Sequence, residues 1–367
     1  MRKLLLKRED FRLLPVFVAV SMAVGIAIGS LLNISDFELT PPIDAIKDIA
    51  AGSFDASVPG LISLGVPIGL FLMMYPAMTN VRLTEVGQAF RSPRQLGVVM
   101  ILNYLVAPFF MLLLANIFVG DPELRTGLIL YGIAPCIAMV IVFTYLARGN
   151  TAMALVFVAL NSVIQMLLIP VYAQLLIGDV AFDVWVVFQS VLLYLGLPLV
   201  AGVLTRQLVV RRRGEAAMEE LKPYLSGLSI VGLLFTLIVM FALKGDLILE
   251  QPFIVVEMAI PMTIFFAAMF FVALYIGSRL RFPYGDGVAV AFNSTGRDFE
   301  IAIAIAITAF SPTVALATVV GPLIEVPIML ALAWSAMRLR PRWFPERGDP
   351  DPASLSPSAS PAGGGSR

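Results

Sequence analysis

Arg297, Asp298 and Glu300 lie within four positions of one another in GVAVAFNSTGRDFEIAIAIAITAF, between two apolar runs. The stretch Asn293-Ser-Thr-Gly-Arg-Asp298 is polar or glycine throughout. A further carboxylate, Glu325, sits in the apolar segment GPLIEVPIML, and the single cysteine, Cys136, follows Pro135 in GIAPCIAMVIVF. Carboxylates can take up and release protons, and Arg297 can neutralise Asp298 or Glu325 or hold an anion. A lone thiol is a soft ligand suited to a thiophilic metalloid. The amides and hydroxyls of Asn293, Ser294, Thr295, Asn161, Ser162 and Gln165 can bind the oxygens of a solute or surround a cation.

What these groups cannot do is equally informative. The chain has no His, which removes imidazole bases, histidine proton relays and His-ligated metals. One Cys allows no internal disulfide, zinc cluster or CxxC pair. A formal net charge of +0 gives no reason to expect a nucleic-acid partner, and nothing in the sequence implies a cofactor or an enzyme.

The elements that must position these residues are membrane helices. Hydrophobic residues make up 59% of the chain and charged ones only 14%, too few to solvate a water-soluble domain of 367 residues. Apolar stretches of about 20 residues recur, each long enough to cross a ~30 Å hydrocarbon layer. They read as Leu13 to Leu32, Pro59 to Met78, Leu96 to Phe118, Leu128 to Leu146 and Met153 to Ile177. A second group runs Trp185 to Leu204, Tyr224 to Leu243, Phe253 to Ile276, Gly287 to Phe310 and Thr313 to Trp334. The start, with Glu9 and Asp10 ahead of a full-length span, does not read as a cleaved signal.

Charge supports this division. With the N-terminus inside, every Lys and Arg falls on the cytoplasmic side except Lys47, Arg125, Lys244 and the intramembrane Arg297. A miscounted helix would invert that pattern, so both termini are expected in the cytoplasm. Five spans per half is an odd number, and two related halves joined that way lie with opposite orientation. Sliding the sequence by 161 positions lays span five on span ten, and Ala134-Pro-Cys136 on Thr295-Gly-Arg297. The expected fold is therefore an all-α membrane protein of ten transmembrane helices in two inverted five-helix repeats, 1–177 and 178–347. The Pro-, Ser- and Gly-rich residues 348–367 are expected to form a disordered cytoplasmic tail.

Helices four and nine are expected to be discontinuous and to cross at the bilayer midplane. Pro135 lacks an amide hydrogen and disfavours helical geometry at Ala134. Polar backbone freed at mid-membrane depth must find protein or water, so two such breaks at equivalent places mark a transport site. Buried charge there costs ~2.5–3.5 kcal/mol per residue on insertion scales and normally marks a pathway or an internal pair. Asp298 suits the positive end of the second half-helix, and Glu300 can alternate between protonated and charged states as access changes. Structural roles compete: a plain kink at Pro135, packing for Cys136, and interhelical bonds for Asn161 and Gln165.

These segments, with LARGNTAMALVFVALNSVIQMLLIPVYAQLL and DFEIAIAIAITAFSPTVALATVVGPLIEVPIMLALAW, resemble the arsenical-resistance-3 type arsenite permeases of the bile acid/arsenite/riboflavin transporter superfamily. The resemblance covers nearly all ten spans. It implies efflux of arsenite, and sometimes antimonite, coupled to proton entry or membrane potential across the cell membrane. It implies an essential Cys in span four and an essential Glu in span nine, matching Cys136 and Glu300, with Glu325 a further match. Members typically carry Ala-Ser-Asn-Asn-Phe-Glu where this chain has Thr295-Gly-Arg-Asp-Phe-Glu300, so an amide pair has become a charged pair. The alternative is a sodium-coupled symporter of an organic anion. In it Arg297 pairs with the anion, and Asn293, Ser294, Thr295, Gln165 and Glu325 hold sodium. Oligomeric state leaves no mark in the sequence.

Overall fold

A computed structural model describes residues 14–32, 58–79, 92–137, 139–178, 180–250 and 252–345. The tail from Gly348, the acidic segment around Asp44 and the basic start of the chain lie outside these residues. Among the described residues every regular element is helical.

The first helices are α1 (Leu14–Leu32) and α2 (Val58–Thr79). Next come α3 (Pro93–Met100), a π-helical segment (Ile101–Val106) and α4 (Ala107–Phe118), which together make one rod. Then follow α5 (Pro122–Ile133), α6 (Met139–Leu146) and α7 (Thr151–Leu176). α8 (Val184–Val191) passes through a second π segment (Leu192–Gly196) into α9 (Leu197–Glu250). The chain continues with α10 (Pro252–Arg279), α11 (Tyr284–Thr295), α12 (Phe299–Ala309), α13 (Pro312–Val319) and α14 (Gly321–Trp343).

Side chains start several of these helices where the sequence offers a cap. Asp121, Asn150, Asp183, Asp298 and Ser311 each accept an amide hydrogen from the first turn they precede. Five helical rods among the described residues are long and apolar enough to cross a bilayer: Pro93–Phe118, Thr151–Leu176, Val184–Ala242, Phe253–Arg279 and Thr313–Trp343. Shorter apolar helices cover Ala19–Leu31, Pro67–Thr79 and Phe299–Ala309.

Spans six and seven read as separate apolar runs, and α9 consists of two helices that meet at a kink inside the charged stretch between them. Its only non-helical residue is Gly214, at φ 81° and ψ 172°. Arg, Glu, Ala, Met and Leu dominate that stretch, and all are strong helix formers. Hydropathy marks where lipid ends; it does not mark where a helix ends. Gly214 supplies the positive φ of that kink, which a side chain would resist.

Polarity is inverted relative to a water-soluble protein. Leu31, Ile117, Leu167, Trp185 and Phe253 are all exposed, whereas Arg297, Asp298, Glu300 and Glu325 are at most 2% exposed. An apolar exterior around buried charge is what a bilayer solvent selects. Small residues bring helices close: a Cβ on Gly232 of α9 would stand 2.7 Å from the Met73 amide nitrogen of α2.

Candidate functional site

The two helix breaks are bonded to each other. α5 stops at Ile133, and Ala134 turns extended at φ −103° and ψ 105°. α11 stops at Thr295, and Gly296 turns extended at φ −61° and ψ 140°. The extended residues pair as an antiparallel bridge centred on Pro135 and Arg297. Cys136 N–H donates to Gly296 O at 3.0 Å, and Asp298 N–H donates to Ala134 O at 2.8 Å. In this register the residues at the bridge centre exchange no hydrogen bond, so a proline, which has no N–H, fits there without loss. Each break thereby satisfies one donor and one acceptor of the other. Bare in hydrocarbon, each group would cost about 1–3 kcal/mol.

Gly296 allows the approach. A Cβ there would sit 2.7 Å from Val140 Cγ1, 3.0 Å from Cys136 Cβ and 3.2 Å from Met329 Cε. Asp298 then caps α12, its Oδ1 accepting the Ile301 amide at 3.1 Å. Glu300 lies in the first turn of α12, its carboxyl adjoining that of Asp298. Cys136 is 1% exposed, and the acidic neighbours of its thiol are Glu325, Glu300 and Asp298. Sequence reasoning singled out these four residues, and the structure brings them together.

Arg297 is fully buried, and its guanidinium is held by oxygen acceptors of the protein. Nε donates to Thr295 O at 3.2 Å and Nη1 to Gly132 O at 3.2 Å. Nη2 donates to Ser294 O at 2.7 Å and to Asn103 Oδ1 at 2.8 Å. The Phe265 ring lies beneath, its centroid 5.3 Å from the guanidinium carbon. That separation is within cation–π range. Glu325 is tied to the backbone of Arg297, whose N–H approaches Oε1 at 3.4 Å, while Tyr131 O–H donates to Oε2 at 2.6 Å.

The remaining sequence candidates lie on α11 itself and on α7. Asn293, Ser294 and Thr295 form the last turn of α11 and are fully buried. Thr295 Oγ1 donates back to Ala291 O, whereas Asn293 Oδ1 and Ser294 Oγ have no hydrogen-bond partner among the described residues. Asp298 Oδ2 is likewise unpartnered. α7, which packs against α11, carries Asn161 and Gln165. Asn161 Oδ1 accepts from Tyr104 O–H at 3.3 Å, and both polar atoms of the buried Gln165 amide lack partners among the described residues.

Asn103, Tyr104, Tyr131 and Phe265 also belong to the site and were not foreseen. Asn103 and Tyr104 stand in the π-helical segment at Ile101–Val106, a local widening often found at functional sites. The available signal was weak: a solitary amide beside a tyrosine in an apolar run.

Two interrupted helices, bonded at their breaks and surrounded by charge inside an apolar shell, define a multi-pass membrane transporter. Residues 67–251 match the Sodium Bile acid symporter family. The chain is 36% identical over 363 residues to the Arsenical-resistance protein Acr3 of Corynebacterium glutamicum, covering 95% of this chain and 93% of that one. It is 35% identical over 352 residues to the Arsenical-resistance protein Acr3 of Alkaliphilus metalliredigens, covering 91% and 94%. It is 34% identical over 367 residues to an uncharacterized transporter of Synechocystis sp., covering 93% and 91%. The chain belongs to the Sodium Bile acid symporter family, and it resembles arsenical-resistance proteins of the Acr3 type over nearly its full length.

Proposed function

We propose that the chain extrudes trivalent arsenite from the cytoplasm across the cell membrane in exchange for protons. The observation that carries this reading is the Cys136 thiol among the carboxyls of Glu325, Glu300 and Asp298, where the two breaks are bonded. The Acr3 relatives, named as arsenical-resistance proteins, support the substrate class.

In this reading the helices form ten crossings in two inverted halves, 1–177 and 178–347, with both termini cytoplasmic. The crossings are α1, α2, α3 with α4, α5 with α6, and α7. The second half has α8 with the start of α9, the rest of α9, α10, α11 with α12, and α13 with α14. The bonded breaks stand at the midplane.

Arsenite at neutral pH is mostly an uncharged trihydroxide. Entering from the cytoplasm, it meets one soft sulfur and several polar atoms with spare bonding capacity: Ser294 Oγ, Asn293 Oδ1 and Asp298 Oδ2. A single thiol contact with a few hydrogen bonds holds the solute weakly enough to let it go, as turnover requires. The buried charge count supports a proton as the exchanged ion. One guanidinium faces three carboxyls, and an uncompensated carboxylate at this depth costs several kcal/mol. Glu300, beside Asp298, takes a proton from outside as the solute leaves and gives it up inside.

Everted vesicles expressing the chain test this. With an acidic lumen, the wild type should accumulate arsenite, and Cys136→Ser and Glu300→Gln should each lower the rate on the order of tenfold, the effect of ~1.4 kcal/mol. Undiminished accumulation in both variants would remove the mechanism.

The second reading, sodium-driven uptake of an organic anion, has the family name behind it. It requires Arg297 to meet the anion. The guanidinium is instead occupied by four oxygen acceptors, which favours the first reading.

A further inference from the structure

The acceptors around Arg297 share an origin. Gly132 O belongs to the last turn of α5, and Ser294 O and Thr295 O belong to the last turn of α11. The last carbonyls of a helix have no partner within it, and each helix C-terminus carries the equivalent of about −0.5 elementary charge. Two such ends meet here, so their carbonyls turn partial negative charge toward one point, on the opposite side of each break from the positive start of its second half-helix. The amide oxygen of Asn103 completes a ring of four neutral oxygens. Neutral carbonyl and amide oxygens are the ligands that a hard monovalent cation takes from a protein. Here one guanidinium is bonded to all four.

We propose that Arg297 is a tethered cation. It neutralises the two helix ends permanently, in the position a dissociable sodium ion would otherwise take, and so frees transport by this chain from sodium. The four oxygens take all of the guanidinium's bonds to the protein, whereas the carboxyls of Asp298, Glu300 and Glu325 make none with it. Phe265, its ring centroid 5.3 Å away, covers one side of the charge with an aromatic face. The proposal rests on the crossing being the transport site and assigns its coupling chemistry. Arg297 is thereby a positioning residue, acting through the carbonyls it gathers.

Purified wild type, Arg297→Lys and Arg297→Asn provide the test. Thermal unfolding in detergent is followed as sodium chloride replaces choline chloride at constant ionic strength. Arsenite movement into proteoliposomes is measured under the same two salts. Wild type and Arg297→Lys should show no sodium dependence in either assay. Arg297→Asn should unfold at a lower temperature, recover several degrees in sodium but not in choline, and move arsenite on the order of tenfold faster with sodium than without. A variant weakened only by lost packing would not discriminate between the two salts.

Sodium-stimulated transport or sodium-specific stabilisation of the wild type overturns the proposal. So does an Arg297→Asn protein that is indifferent to sodium in both assays. If Arg297→Asn cannot be purified in either salt, wild type and Arg297→Lys decide alone: sodium dependence in either defeats the idea, and its absence in both upholds it. A wild type that moves no arsenite ends the functional reading only, because the unfolding assay needs no arsenite.

Discussion

Tyr131 and Glu325 are joined by a 2.6 Å hydrogen bond between residues 194 positions apart, and both are almost completely buried. The bond holds the carboxylate against the Arg297 amide, so one acidic side chain touches both breaks. Tyr131→Phe leaves Glu325 Oε2 without its donor in a dry site, a loss of about 1–3 kcal/mol. A fall of several degrees in apparent Tm, with slower arsenite movement, is the expected result. A variant indistinguishable from wild type in both would show the bond to be dispensable.

Gly296 is tight for steric reasons, since its φ of −61° suits any residue. Gly296→Ala forces a Cβ against Val140 and Cys136. It should push the paired strands apart, costing ~1–3 kcal/mol and abolishing transport. Gly97 in α3 is the control. A Cβ there meets nothing within 4 Å, and Ala should stabilise the helix by up to ~1 kcal/mol. Thermal unfolding of the two proteins side by side checks both signs.

Cys136 separates packing from chemistry. Cys136→Ala removes one sulfur from a buried site and should cost at most ~1–2 kcal/mol, leaving a folded protein. If the thiol is a soft contact for arsenic, transport nevertheless falls on the order of tenfold. Vesicle uptake measured on protein of verified fold decides, and unchanged uptake would return Cys136 to the role of a small hydrophobe.

Asn150 ties the start of α7 to the start of α11. Its side-chain oxygen accepts the Met153 amide at 3.1 Å, its Nδ2 donates to Asp286 Oδ1 at 2.8 Å, and its backbone N–H donates to Gly285 O at 2.8 Å. Asn150→Ala removes the cap and the Asp286 bond together and should destabilise by ~2–3 kcal/mol. Asn150→Ser keeps a cap and should lose roughly half as much. Equal losses in the two variants would mean that the cap contributes nothing.

Much of the site was legible because lipid punishes polar backbone. Pro135 and the polar run from Asn293 to Asp298 could not face lipid, and the second break falls inside that run at Gly296, after Asn293 to Thr295 have completed α11. The place of Asp298 at the start of the second half-helix followed from residue type and position. The partners of Arg297 were not legible. From sequence the choice lay between a neighbouring carboxylate and a bound anion, whereas the guanidinium bonds backbone carbonyls, which every residue has and no residue type advertises. Asn103 and Tyr131 escaped for a related reason: their roles are defined by contacts with residues 194 positions away. A solitary Asn or Tyr in an apolar helix reads the same whether it serves packing or a site. The helical turns flanking Gly214 lay outside the apolar runs because hydrophobicity reports solvent, and helix propensity has to be read separately.

The exchange of backbone bonds between Ala134 and Cys136 on one side and Gly296 and Asp298 on the other also bears on biosynthesis. When the ribosome has finished the first of these segments, the peptide groups that complete it do not yet exist. Synthesis of the intervening stretch takes about 10–30 s at ~5–20 residues per second. Throughout that interval the nascent chain must keep an unfinished turn away from lipid, in the insertion machinery or in contact with water. A chain severed between α7 and α8 would therefore have to insert both fragments side by side, since each carries the missing half of the other's ladder.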